Sequence, residues 1–409
     1  MKKRLIQAVI LQSCGPLLLL ALSVAISKFL GPSEQGAFVS LKSWADVIIA
    51  IGCFGFPQSV IIAINRYSIS RRSLYSVVPV YVVGLTPVFF VICYLAGAAK
   101  DFPINQIIAL VVGIACIVLV NIWRGILLTI EDGFRFHLIT ALPSTALVVV
   151  ISMCLALGFS LKNSLPYFYG ACGVITLIAG YCIFPWRLVQ KREGKSVDFW
   201  QLITNGGDVF VQGIASSLQI YFCFSWLKHV DSLTVVGYFS IALVALNAFG
   251  FPLQSVAPMI LNRWSREGDA KALHSGAKSI KKVLIAVTLI SLISIGLTPF
   301  IVDRVLGLKF HDAVAAIQIM LLAITPLLVF RLASLRLVAV GQFRFNSIVI
   351  AARSLMLISL LNLVDLQSVA IQPVTVAALC WLIVEVLAAI VISCRVNHVR
   401  NALVVGEKL

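Results

Sequence analysis

Arg331 stands in the apolar run VFRLASLRLVA, about ten residues from the nearer end of its segment, or roughly 15 Å at the rise of a helix. A guanidinium at that depth does not easily snorkel to water. Charges held there are costly and mark a pathway, a pair or a substrate contact. Arg353 and Arg124 lie roughly 10–12 Å deep by the same rise. Arg336 is shallower and reaches the interface. The planar fork of arginine presents two parallel N–H groups, which match two oxygens of a phosphate. Arg331, Arg353 and Arg124 are therefore candidate ligands for an anionic substrate. The acidic residues inside apolar segments are Asp46, Asp208 and Glu385, the candidates for ion coupling. Lys42 and Asp46 stand four apart on one helical face, the spacing of an internal ion pair. Glu385, in WLIVEVLAAIV, has no neutralising neighbour in sequence. Three roles are open to it: a carboxyl kept protonated by desolvation, a partner for one of the arginines, or a proton carrier.

A second constellation lies in LITNGGDVFVQGIASSLQIYF, where Asn205, Asp208, Gln212, Ser216 and Gln219 recur at steps of three and four. That period puts them on one helical face. Asn205, Gln212 and Gln219 suit hydrogen bonding to a polar substrate, and the same face equally suits helix packing with polar groups as glue. Neither a metal nor a cofactor is expected. The ten cysteines are scattered singly through apolar runs, with no CxxC and no His at ligand spacing. Such cysteines behave as small buried hydrophobes. Gly194-Lys195-Ser196 has the end of a phosphate loop, but Val189 stands where its first glycine must be.

The elements that hold these residues follow from composition. Only 12% of the 409 residues are charged and 60% are hydrophobic, with mean hydropathy +1.03. Soluble domains carry about 25% charged residues. Apolar stretches long enough to cross a hydrocarbon core of about 30 Å recur from end to end. Twelve spans are expected, at 5–30, 37–65, 74–97, 105–130, 137–159, 166–189, 202–227, 234–262, 277–302, 313–340, 345–364 and 370–394. Turn formers and charges separate them, as in GPSEQG, EDGFRFH, KREGKSVD and SREGDAK. No connection reaches domain size, which excludes a soluble catalytic or nucleotide-binding domain and argues against an enzyme. MKKRL opens the first span, whose apolar run continues to Leu30; an uncleaved helix is expected there. With the amino terminus in the cytoplasm, the inner segments carry 21 Lys and Arg against 6 outside, so both termini are expected inside. The net charge of +16 then reflects orientation and contact with lipid headgroups rather than nucleic acid.

The chain repeats itself. GFPQSVIIAINRYS begins at Gly55 and GFPLQSVAPMILNRWS at Gly250. Gly36-Ala37-Phe38 and Gly237-Tyr238-Phe239 precede them, so the offsets are 201, 195 and, at Asn65 and Asn262, 197. These copies fall on spans two and eight. Six spans restore orientation, so the halves are parallel repeats about an axis along the membrane normal. The expected fold is an all-α integral membrane protein of about 12 transmembrane helices in two parallel six-helix bundles. Residues 1–190 form the first bundle, 191–201 a cytoplasmic linker and 202–409 the second. Pro57 and Pro252 each remove a backbone hydrogen bond beside Gly55 and Gly250. In lipid such a break persists only where protein or a wet cavity covers the freed carbonyls. A matched pair of broken helices is the expected hinge of an alternating-access transporter.

LGPSEQGAF after the first span, followed by a glycine-rich second span ending in INRY, resembles the Wzx-type O-antigen flippases. These belong to the multidrug/oligosaccharidyl-lipid/polysaccharide (MOP) exporter superfamily. The resemblance extends over the whole chain in span count and pseudo-symmetry, whereas the related lipid II flippases usually carry two further spans. It implies a flippase moving undecaprenyl-diphosphate-linked O-antigen or related polysaccharide repeat units across the bacterial inner membrane. It also implies membrane lipids, and polymerase and chain-length proteins of the same pathway, as partners. Two other functions are compatible with a polytopic chain. A multidrug or organic-cation antiporter of the same superfamily would favour a carboxylate-rich cavity, and a membrane polysaccharide polymerase would carry a large outer loop.

Overall fold

The computed structural model describes residues 2–57, 59–60, 64, 69–95, 102–129, 133–186, 199–267, 277–364 and 371–405. Among these residues the chain is helical throughout. The first half holds α1 Lys2–Leu30, α2 Pro32–Cys53, α3 Arg71–Cys93, α4 Ile104–Leu128, α5 Gly133–Ala156 and α6 Leu161–Ile183. The second holds α7 Phe199–Val230, α8 Leu233–Glu267, α9 Ala277–Val305, α10 Val314–Leu322, α11 Ile324–Ala339, α12 Phe343–Leu363 and α13 Pro373–Val405. Eleven segments are long and apolar enough to cross a bilayer, and α1 adds the apolar run Cys14–Leu30. Twelve spans in two helical halves result, as composition and repeat predict. Most of the expected linker, 191–201, lies outside the described residues, as do Asn65 and Arg66 of the first repeat.

Helices form here because lipid offers no partner for a bare N–H or C=O, so each segment must satisfy its own backbone. Their outer faces are apolar because the solvent is hydrocarbon. Val80, Val83, Ile293 and Phe300 are each at least 64% exposed, a placement that water would penalise and acyl chains accept.

The tenth span differs from expectation in one respect. It is split at Ala323 into α10 and α11, after a 3-10 turn at Leu308–Ala313. Pro326, on the first turn of α11, cannot donate to a preceding carbonyl, and its ring disfavours a continuous helix through the residues before it. Ser291 Oγ donates to the buried Leu321 carbonyl at 2.5 Å.

By contact the chain forms two compact units that do not follow chain order. The first comprises Met1–Leu22 and Leu41–Ser217, the second Ser23–Ser40 and Leu218–Leu409. Within the second unit the amino-terminal turns of α2 and α8 cross. A methyl on Gly36 would strike the Leu233 carbonyl, and one on Gly237 would strike the Pro32 carbonyl. The two contacts are the same contact twice, since 36 and 32 map onto 237 and 233 by one offset. That exchange, i on j and j on i, is what a two-fold operation produces. Gln35, fully buried, donates to Ser240 Oγ at 3.1 Å, and Ser240 donates to the Gly237 carbonyl at 2.7 Å. Backbones this close leave no volume for a side chain. Gly36→Ala and Gly237→Ala are each expected to cost about 1–3 kcal/mol by overpacking. The double variant should lose less than the sum, because both residues serve one crossing. Thermal unfolding in detergent checks this, and an effect at one glycine alone would contradict the shared contact.

Candidate functional site

Each unit seats an arginine beside its copy of Phe-Gly-Phe-Pro. In the first unit α2 ends at Cys53, and Phe54 and Gly55 take φ 42 and 69 before the helix resumes at Phe56. Left-handed backbone is ordinary for glycine and uncommon for a bulky residue, so surroundings must hold Phe54 there. Its ring stacks on Phe210 at 4.3 Å. Tyr81 donates its hydroxyl to the Gly52 carbonyl at 3.1 Å, and Ser59 donates to the Gly55 carbonyl at 3.0 Å. Gly55 is open toward the carbonyl of Gly206 on α7, and a methyl on Gly125 of α4 would lie 2.5 Å from the Pro57 oxygen. The freed carbonyls of the break are thus covered by protein, as lipid requires.

Arg124 immediately precedes Gly125 on α4 and lies beside Cys53. Its guanidinium sits 5.9 Å from the centre of the Phe136 ring. Among the described residues it has neither an ion pair nor a hydrogen bond. On α2, Asp46 pairs with Lys42 at 2.5 Å, as the four-residue spacing predicts.

In the second unit the same four residues behave differently. The sequence predicts a break at Gly250 and Pro252, yet α8 runs as one helix from Leu233 to Glu267. A proline inside a membrane helix removes only one ladder bond, and packing neighbours can absorb that loss. The Pro252 side chain lies outside the described residues. Gly250 faces Arg331: a methyl there would lie 2.6 Å from Nη1. Arg331 on α11 is in electrostatic range of both Arg353 on α12 and Glu385 on α13. Arg353 Nη2 stands 2.6 Å from Glu385 Oε1, and Glu385 is fully buried. Of the three roles open to Glu385, the geometry is that of the arginine pair. Two guanidiniums therefore share one carboxylate. Arg353 also covers the Phe330 ring at 5.2 Å, and Arg336 covers Trp264 at 5.6 Å.

The polar stripe of α7 is divided. Asp208 and Ser216 are exposed, Gln212 is half-buried, and the Asn205 side chain lies outside the described residues. Gln219 is buried and accepts a hydrogen bond from Ser354 of α12 at 3.4 Å. Sequence reasoning did not find Tyr81, Gly125 or Gly206 as the supports of the α2 break. Only Gly206 carried a signal, the Gly-Gly pair ahead of Asp208.

Removing one member of a buried pair strands the other charge. Glu385→Ala is expected to cost about 3–5 kcal/mol, and Glu385→Leu combined with Arg353→Met to recover only part of it, because Arg331 keeps its charge beside the same site. Thermal unfolding of the three proteins measures this; a neutral Glu385→Ala would contradict the pair.

No protein-family model and no curated protein matches the chain by sequence. Solved structures do match. The inward-facing conformation of a multidrug resistance MATE family transporter of the MOP superfamily aligns with TM-score 0.71 and 14% identity, covering 96% of this chain and 99% of that one. The outward-facing conformation of such a transporter aligns with TM-score 0.68 and 16% identity over 98% and 97% of the two chains. A MOP superfamily transporter from Pyrococcus furiosus, described for the reverse polarity of its binding pocket, aligns with TM-score 0.69 and 16% identity over 98% and 96%. Across its whole length, the chain has the fold of the MOP-superfamily transporters.

Proposed function

We propose that this protein is a flippase for a lipid-linked oligosaccharide, moving undecaprenyl-diphosphate-linked repeat units across the bacterial inner membrane by alternating access, with both termini in the cytoplasm. The supporting observation is the state of the intramembrane charges. Asp46 is occupied by Lys42 and Glu385 by Arg353. Arg124 has no ion pair among the described residues, and Arg331 shares its carboxylate with another arginine. A cation in a low dielectric attracts an anion, and a diphosphate is the anion that a guanidinium fork fits. Arg124 in the first unit is a headgroup ligand on this reading, and Arg331 in the second is another candidate taken separately, with Arg353 held by Glu385. The sugars follow by hydrogen bonds to Gln212 and its neighbours on α7, while the polyprenyl tail stays in lipid.

Export of organic cations is the second reading, favoured by the multidrug MATE transporters of this fold. It needs a free buried carboxylate, whereas Glu385 is held by Arg353 and Asp46 by Lys42. The reversed pocket polarity described for the Pyrococcus furiosus chain illustrates that MOP pockets are not all of one polarity.

Hydrogen bonds to a charged group contribute about 1.5–3 kcal/mol, so Arg124→Ala and Arg331→Ala should each slow flipping by about 10- to 100-fold. The measurement is transfer of a fluorescent polyprenyl-diphosphate oligosaccharide across proteoliposomes. Unchanged flipping in both variants, or transport of a lipophilic cation in its place, would overturn the assignment.

A further inference from the structure

Arginines gather at one end of the second unit: Arg336 in the last turn of α11, Arg344 in the first turn of α12, and Arg395 and Arg400 toward the end of α13. Residues 340–342 join α11 to α12, and α13 is tied to that junction where Arg395 Nη2 donates to Gln342 Oε1 at 3.1 Å. Arg395 lies 5.1 Å from the centre of the Phe345 ring, and Arg336 lies 5.6 Å from that of Trp264 on α8. Arg336 and Arg400 are in electrostatic range of each other. No counter-charge accompanies them. Neither α11 nor α12 contains an acidic residue, and Glu385 of α13 is held by Arg353. Among the described residues, Arg336 Nε, Arg336 Nη2 and Arg395 Nε are buried and meet no hydrogen-bond acceptor. Such groups are costly to leave unmade, more so when charged.

We propose that this cluster binds the phosphate of an anionic phospholipid, whose acyl chains lie along the exposed face of α12. Arg344, Ile348, Ala352 and Leu355 are exposed at steps of four, four and three, so the face that starts at an arginine continues as hydrocarbon. That continuity favours a bilayer lipid over a soluble anion. Since no acceptor holds the Nε–Nη2 edge of Arg336, a turn of its long side chain presents that fork to two phosphate oxygens. A zwitterionic lipid brings its own cation, which the neighbouring arginines repel. Charge placed only for orientation would face water, whereas these guanidiniums pack on aromatic rings. The site is independent of the substrate assigned above, whose candidate arginines lie deeper.

Native mass spectrometry of the full chain, titrated with phosphatidylglycerol in detergent, tests this. Arg336→Gln and Arg395→Gln should each weaken binding by about tenfold. Arg304→Gln, in the last turn of α9 and outside the cluster, should leave it unchanged. Arg336→Lys keeps the charge and loses the fork, so a loss of about threefold is expected. Phosphatidylcholine should bind the wild type about tenfold more weakly than phosphatidylglycerol. Wild-type affinity in both Gln variants, or an equal loss in Arg304→Gln, would overturn the site. If the Gln variants do not survive purification, Arg336→Lys carries the test, and unchanged affinity there would overturn it. Equal binding of the two lipids would overturn the choice of an anion. Displacement of phosphatidylglycerol by equimolar inorganic phosphate or farnesyl diphosphate would assign the cluster to a soluble anion or a polyprenyl diphosphate instead, and the phospholipid proposal would fall.

Discussion

A backbone carbonyl without a donor has nowhere to turn in hydrocarbon, and every irregularity in this molecule is built around that constraint. The α2 break is bracketed by the Tyr81 and Ser59 hydroxyls. The split between α10 and α11 is closed by Ser291. Such supports must come from neighbouring helices or from the next turn, because no water is available to supply them. A break in a span is therefore a tertiary feature that a proline permits but does not create. Pro57 and Pro252 follow the same three residues, Phe-Gly-Phe, and only the first stands at a break in its helix.

Charge obeys the same logic with larger energies. A carboxylate and a guanidinium buried together are tolerable, whereas either alone is not. Lys42 with Asp46 and Arg353 with Glu385 satisfy the rule locally. Arg124 has no ion pair among the described residues, and Arg331 lies in electrostatic range of both Glu385 and Arg353. The aromatic rings of Phe136 and Phe330 lie beside Arg124 and Arg353, and a ring face attracts a cation.

Glycine links the two. Gly36 and Gly237 allow backbones to cross where any Cβ would collide, in a contact that repeats itself at one sequence offset. Gly55 and Gly250 offer open faces of identical sequence, one occupied by backbone and the other by a guanidinium. The repeat is symmetric in what it permits and asymmetric in what fills it.

Much of this was legible from residues alone. Low charge and recurrent apolar runs required a polytopic helical bundle, because no other structure satisfies its backbone in lipid. The doubled motif required two parallel halves, because six intervening spans restore orientation. The Lys42–Asp46 pair followed from helical spacing. What the sequence left open was every choice between near-equal local states. Phe-Gly-Phe-Pro meets Gly206, Gly125 and Tyr81 in one place and Arg331 in another, residues up to about 150 positions away in the chain. Which arginine Glu385 would neutralise was equally undecided. Span depth made Arg331 and Arg353 similar, and only the packing of α12 against α13 brought Arg353 within 2.6 Å. Long-range contacts of this kind carry no periodicity and no spacing, so only the folded chain could select among them.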